Sequence, residues 1–279
     1  MVTPEIDHLS ASQINLYLLC SLKYRFLYVD RLPKPFKASG LVFGGVTHST
    51  VDWFHKQRIL KRQVSLDNLY QILEADWYCQ KCEDEIRYKD GEDESKLVAI
   101  ARELISLYYH SPLSGMVQAE FPFRLPLVNP LTGENLDVPM EGFIDLIEAD
   151  DTITEFKTSA RTMDADSLDD LLQLTTYSYA YRMLFGREPQ KLKVVNLVKT
   201  KTPKLNIMEA KARSQQDYAR LFHLAKEVLR SIRSGIFFPR QSFLCKDCEF
   251  EWPCEVWEGN GGTGLKVPDH REHIMSAQA

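Results

Sequence analysis

No apolar run approaches the roughly 20 residues that a bilayer-spanning helix needs, so no membrane-crossing element is expected. A secretory leader is missing too. Glu5, Asp7 and His8 stand where a basic segment and then an apolar one would be required, so the expected compartment is the cytoplasm. Cysteine is scarce, with six in 279 residues, which excludes a disulfide-dense scaffold; in a reducing compartment these thiols stay free or hold metal. A positive balance is also absent. The formal net charge of −5 excludes a uniformly basic nucleic-acid-coating protein, so any phosphate-binding surface must be a local strip. No internal repeat is present. With 44% apolar and 26% charged residues the composition is that of a globular protein, neither disordered nor fibrous. One domain is expected over residues 1–256, with a loosely ordered tail at 257–279.

The first part of the chain reads as helical. Ser10 and Gln13 have capping-box spacing ahead of Ile14, Leu16, Tyr17 and Leu18, which predicts a helix from about Ser10 to Val29. After a connector from Pro33 to Gly40, Gly44-Gly45 precede a second helical pattern through Val46, Val51, Trp53 and Phe54. A third helical region covers Leu66 to Tyr109, broken near Asp90 to Ser95. From Val117 the period changes to that of strands: Val117 to Leu127, Val138 to Glu148 and Thr152 to Thr158 form an antiparallel meander. A helix over Leu168 to Phe185, strands at Lys191 to Lys199 and Leu205 to Glu209, and a helix over Gln215 to Ile232 complete the pattern. That order predicts an α/β core, a mixed sheet flanked by helices, with a helical N-terminal region over about 10–110, a sheet over about 117–210, and a C-terminal helix and cysteine loop over about 212–256.

The segment from Gly142 to Thr158 carries the most chemistry. Strand side chains alternate, so Glu155 and Lys157 share one face while Thr154 and Phe156 share the other. A turn at Asp150-Asp151 places Asp145 opposite Glu155. Two carboxylates and an ammonium then converge, a set suited to Mg²⁺ or Mn²⁺ and to phosphodiester hydrolysis. An exposed cross-strand ion-pair ladder is the plain alternative.

Cys245-x₂-Cys248-x₅-Cys254 forms a compact thiolate cluster after Pro239, and Cys20 is the natural fourth ligand. Four thiolates can hold either an iron–sulfur cluster or zinc, and spacing alone does not separate the two. A metal bridging positions 20 and 245 would close a very long loop and hold the terminal segments to the core. Cys79 and Cys82 fall inside a helical pattern and are read as non-ligands.

Asp145 followed by Glu155-Phe156-Lys157-Thr158 resembles the PD-(D/E)XK superfamily, and within it the RecB-like nucleases, which include CRISPR-associated RecB-like exonucleases and the AddB nuclease domain. The resemblance extends from about Leu9 to Cys254. It implies a restriction-endonuclease-like core and catalytic roles for Asp145, Glu155 and Lys157, with His48 of Gly44-Gly45-Val46-Thr47-His48 joining Asp145 and Glu155 as a metal ligand. It also implies support from Glu120 and from Gln173 and Tyr177, which at i and i+4 share one helix face. His55, seven residues beyond His48, is a weaker candidate without a motif match. The family's frequent glycine after the lysine motif is replaced by Thr158-Ser159-Ala160. The N-terminal cysteine with the C-terminal Cys-x₂-Cys-x₅-Cys implies a [4Fe-4S] cluster, with zinc as the alternative.

The expected activity is a metal-dependent DNA exonuclease acting on ends or single strands. A catalytically silent DNA-end-binding or partner-binding module, and a zinc-stabilised interaction domain, are the competing readings. Two basic strips could follow a phosphate backbone: Lys191, Lys193, Lys199, Lys201 and Lys204, and Lys56, Arg58, Lys61 and Arg62. The glycine-rich stretch 259–266 fails as a phosphate loop, because Leu265 stands where lysine is required. Any helicase, CRISPR or recombination partner would therefore be a separate polypeptide.

Overall fold

The computed structural model describes residues 5–112 and 115–259. Of the tail expected over 257–279, residues 257–259 are the end of a helix, and the remainder from residue 260, with the rest of the glycine-rich stretch, lies outside the described residues. Five strands form the main sheet in sequence order: β3 (Met116–Val128), β4 (Asn135–Glu148), β5 (Thr152–Ser159), β6 (Lys191–Val198) and β7 (Lys204–Ala210). All neighbours are antiparallel except β5 and β6, which run parallel because helix α6 (Leu172–Phe185) crosses between them. The mixed sheet and flanking helices are as the sequence predicts.

Strand periodicity explains why helices cover both faces. In β6, Leu192 and Val194 pack into one core with α6, α1 (Ala11–Leu19) and α7 (Gln215–Arg233). Val195 and Leu197 point the other way, into a second core with α3 (Ser39–Ile59), α4 (Leu66–Glu83) and α5 (Glu94–Tyr109). A strand buried on both faces needs a nearly continuous apolar run, and Leu192 to Val198 supplies one. Helix α7 buries Tyr218, Leu221, Phe222, Ala225, Val228, Leu229 and Ile232, a three-and-four spacing that sets one stripe on the first core.

Several predicted boundaries differ, among them the start of α6, which falls at Leu172 rather than Leu168 after a 3₁₀ turn over Ala165–Leu168. The first helix stops at Leu19, because Cys20 is extended, and resumes as α2 (Ser21–Tyr24) and a π-helical turn over Arg25–Val29. Its capping box is half formed: Ser10 accepts from the Gln13 backbone N–H, while the Gln13 side chain meets His8 instead. Helix α3 starts at Ser39 and therefore contains Gly44 and Gly45. A Cβ at Gly44 would lie 2.9 Å from Thr158 Oγ1, so glycine lets α3 approach the end of β5. Between α4 and α5 the chain adds β2 (Ile86–Arg87), which pairs in parallel with β1 (Lys37–Ala38), a contact too short and too distant in sequence to leave a periodic signal. The C-terminal cysteine segment is a 3₁₀ turn (Phe243–Asp247) and a helix, α8 (Glu251–Gly259), where a loop was expected. Among the described residues no helix is long and apolar enough to cross a membrane.

Candidate metal-dependent active site

Asp145 lies where β3 and β4 exchange faces. Ala119 and Leu146 contact the second core, whereas Phe121 and Ile144 contact the first, although residues two apart in a regular strand share a face. The exchange falls at the level of Glu120 and Asp145. Glu120 has φ +49, a left-handed conformation that costs a non-glycine residue on the order of 1–3 kcal/mol. The neighbouring β4–β5 ladder pairs Leu146 with Thr154 and Ile147 with Ile153, so Asp145 stands opposite Glu155 at its end. There the Asp145 side chain takes over from the ladder, with Oδ2 accepting the Phe156 backbone N–H at 2.9 Å.

Helix α3 brings His48 over this pair. His48 Nε2 is 3.1 Å from Asp145 Oδ2, and its Nδ1 is 3.6 Å from Glu120 Oε1. One donor atom from each of His48, Glu120 and Asp145 lies within 4.8 Å of the others. From α6, the Tyr177 hydroxyl donates to Asp145 Oδ1 at 2.8 Å and the Gln173 amide donates to that hydroxyl at 2.8 Å. Lys157 donates to the Gln173 carbonyl and pairs with Glu155 Oε1. The other Glu155 oxygen is buried with no hydrogen-bond partner among the described residues, in a side chain only 1% exposed. A cavity of about 370 Å³ opens onto these groups, with Ser12 at the N-terminus of α1 and the exposed ring of Phe143 among its walls.

The electrostatics separate the two carboxyls. Burial raises both, but the hydrogen bond and charge of His48 with the Phe156 N–H hold Asp145 below the ordinary carboxylate range. Glu155 is raised by burial and then by the Asp145 charge, against the opposing pull of Lys157. For His48, burial lowers the pKa, yet Asp145, Glu120 and Glu155 outweigh it and raise it to about 9. The chain by itself therefore keeps protons in this site. A divalent cation would displace them, and oxygen donors with one imidazole suit Mg²⁺ or Mn²⁺. The Glu155 oxygen that Lys157 leaves unpartnered, beside three converging donors, fits such an ion: on release of its proton this buried oxygen gains a ligand to bind that no other described group offers it.

The structure brings together His48, Glu120, Asp145, Glu155, Lys157, Gln173 and Tyr177 around one cavity. Glu120, expected only as support, stands in the donor cluster itself, while Glu155 lies just outside that cluster. The signal that could have placed Glu120 is register, since the flanking pairs Ala119–Leu146 and Phe121–Ile144 set it level with Asp145 on the adjacent strand. His55 is excluded from the site. It is 1% exposed, shares a 2.8 Å hydrogen bond with the Tyr108 hydroxyl and packs on Phe156, and burial lowers its pKa to about 3. The first basic strip is largely committed: Lys191 pairs with Glu209, Lys193 with buried Glu148, and Lys199 with Glu92.

A second group of side chains gathers elsewhere. Cys20, Cys245, Cys248 and Cys254 line one cavity of about 310 Å³, floored by Phe26 and Phe250. Burial raises the Cys248 thiol, with Cys20 close enough to add to the effect. Cys79 and Cys82 are exposed on α4 and do not line this cavity.

The sequence model of the PD-(D/E)XK nuclease superfamily matches residues 8–255. Among solved structures, a protein from Eubacterium rectale described as a "putative exonuclease" superposes with a TM-score of 0.56 at 14% identity, over 96% of this chain and 92% of that one. The protein SSO0001 aligns over 91% of this chain and 89% of its own at 11% identity, but at a TM-score of 0.41 the likeness is too loose to argue from. No curated protein matches the sequence.

Proposed function

The chain belongs to the PD-(D/E)XK nuclease superfamily, and from that premise we propose that it hydrolyses DNA phosphodiester bonds with Mg²⁺ or Mn²⁺, as an exonuclease working on ends or single strands. The observation that carries the reading is the convergence of His48, Glu120 and Asp145 beside the buried, unpartnered oxygen of Glu155 and the ammonium of Lys157. Asp145, Glu155 and His48 would hold the ion, with Glu120 close enough to join them. Bound there, the ion supplies Lewis-acid polarisation of the phosphoryl oxygen and an acidified water.

The remaining chemistry belongs to the chain. Tyr177, Phe156 N–H and His48 fix both oxygens of Asp145, so the carboxylate does not reorient when substrate arrives. Lys157 is held between Glu155 and Gln173, from which its ammonium orients the attacking water and offsets charge on the phosphate. The exonuclease preference rests on resemblance and on the description of the Eubacterium rectale protein.

The same reading assigns the chain to the RecB-like nucleases and gives Cys20, Cys245, Cys248 and Cys254 a structural [4Fe-4S] cluster, with zinc as the alternative. Four thiols around one cavity support it. It further takes residues 1–256 as one nuclease domain in the cytoplasm, served by any helicase as a separate chain.

The test is incubation of anaerobically purified protein with end-labelled single- and double-stranded DNA and either ion. Metal-dependent loss of label supports the reading, and the product ladder separates exonuclease from endonuclease action. Folded protein that binds DNA ends without cutting under any metal would instead support the catalytically silent module.

A further inference from the structure

Most cations of this chain are neutralised locally, as Lys226 is by Glu134 and Lys81 by Glu94. Three that lie close together are not. Arg58, Lys61 and Arg62, at the C-terminal end of α3, are exposed and have no carboxylate partner among the described residues. Arg62 donates to the Gln57 amide and Arg58 stacks on the Phe54 ring, its Cζ 5.6 Å from the centroid. Lys61 holds φ +56, a conformation that costs a β-carbon-bearing residue energy and turns the chain so that Arg58, Lys61 and Arg62 border one groove. That groove is open to solvent, has a volume of about 830 Å³ and is lined also by Gln63, Ser65, Asn68 and Tyr109.

We infer that this groove binds the phosphate backbone of the nucleic-acid strand being cut, as an anchor away from the metal cluster. The inference rests on the nuclease reading above and names the surface that reading leaves open. Unpaired cations beside aromatic rings are the arrangement that holds single strands with little sequence preference. A chain with a net charge of −5 attracts a polyanion only where its own carboxylates leave cations free. The groove also sits on the helix that carries His48. Ten residues at 1.5 Å per residue separate His48 from Arg58, or ~15 Å, the length of about four nucleotides stacked at the 3.4 Å rise of a duplex strand. Lys56, two residues before Arg58, pairs with Asp52 and so does not belong to the free group.

The experiment measures binding of a labelled single-stranded DNA of roughly 20 nucleotides, longer than a site of up to ~16, in EDTA so that cutting is suppressed. The variant Arg58→Gln/Lys61→Gln/Arg62→Gln is expected to weaken binding and to lower the slope of log affinity against log salt by about two to three. Arg58→Lys/Arg62→Lys should keep the slope. A control variant, Lys81→Gln/Lys211→Gln/Lys226→Gln, makes the same change in net charge and should leave the slope in place. An unchanged slope in the first variant, while wild type binds and cuts DNA, overturns the groove and leaves the nuclease reading standing. A wild-type chain that binds no DNA in EDTA overturns the groove, and one that also leaves DNA uncut when Mg²⁺ or Mn²⁺ is added overturns both.

Discussion

A carboxylate is useful to a divalent ion only if its oxygens are held ready, and at the scale of single residues Asp145 is such a group. Three donors converge on its two oxygens. Asp145→Ala and Lys157→Ala should each reduce cleavage at least ~100-fold with the fold intact, since one removes a proposed ligand and the other the oriented charge; circular dichroism and single-turnover cleavage check this together. Proton occupancy gives a second expectation. In metal-free protein His48 is raised to about 9 and Glu155 is raised by burial, so both hold protons at neutral pH. Ion binding must release them, so the apparent affinity for Mn²⁺ should rise steadily from pH 6 to 9, with proton uptake by buffer visible in calorimetry. Without metal the sign reverses for stability. A folded-state pKa above the unfolded value means that the native chain binds more protons, so the contribution of His48 is full below about 6.5 and is lost as pH rises through about 9. A flat Mn²⁺ affinity over that range would remove His48 from the site.

Elements meet through a few contacts that their own periodicity does not specify. Helix α3 delivers His48 because it can lie against the end of β5 at Gly44, and adjacent glycines give a paired test. Alanine in a helix interior is favoured over glycine by ~1 kcal/mol. Gly45→Ala meets nothing within 4 Å and should raise stability by about that amount. Gly44→Ala would place its Cβ 2.9 Å from Thr158 Oγ1, and overpacking of this kind costs ~1–3 kcal/mol, so the net sign should be opposite. Thermal melting of the two variants decides it, and adding Thr158→Ala should restore much of the loss. Helix α6 braces the site from the other side. Tyr177→Phe removes one donor from Asp145 and should weaken metal affinity about tenfold without abolishing cleavage.

At the scale of the whole molecule the N-terminal helices and the segment after α7 are tied to each other. The Tyr17 hydroxyl donates to the Ile236 carbonyl, Ser21 to that of Phe238, and Lys23 pairs with buried Glu249. The thiols of Cys20, Cys245, Cys248 and Cys254 surround a cavity in the same region. If they hold the proposed cluster, anaerobically prepared protein should contain iron and acid-labile sulfide. Cys20→Ser or Cys248→Ser should then lose both and melt earlier, while Cys79→Ser/Cys82→Ser keeps both. Zinc without iron in the native protein would favour the alternative.

Local pattern was enough for the long helices other than the broken first one, the five strands of the main sheet and the spacing of Asp145, Glu155 and Lys157, because the 3.6 and 2.0 periods and the Asp150 turn are written into neighbouring residues. The sequence also carried the i, i+4 pair Gln173 and Tyr177, whose common face follows from helix geometry alone. What only the tertiary structure decided was partnership across distance. Register and a left-handed backbone at Glu120 moved that residue into the donor cluster; packing turned His55 into the core; and Glu148, Glu92 and Glu209 claimed lysines that looked free. These outcomes depend on which faces are brought together when two cores close on one sheet. No window of adjacent residues contains that information.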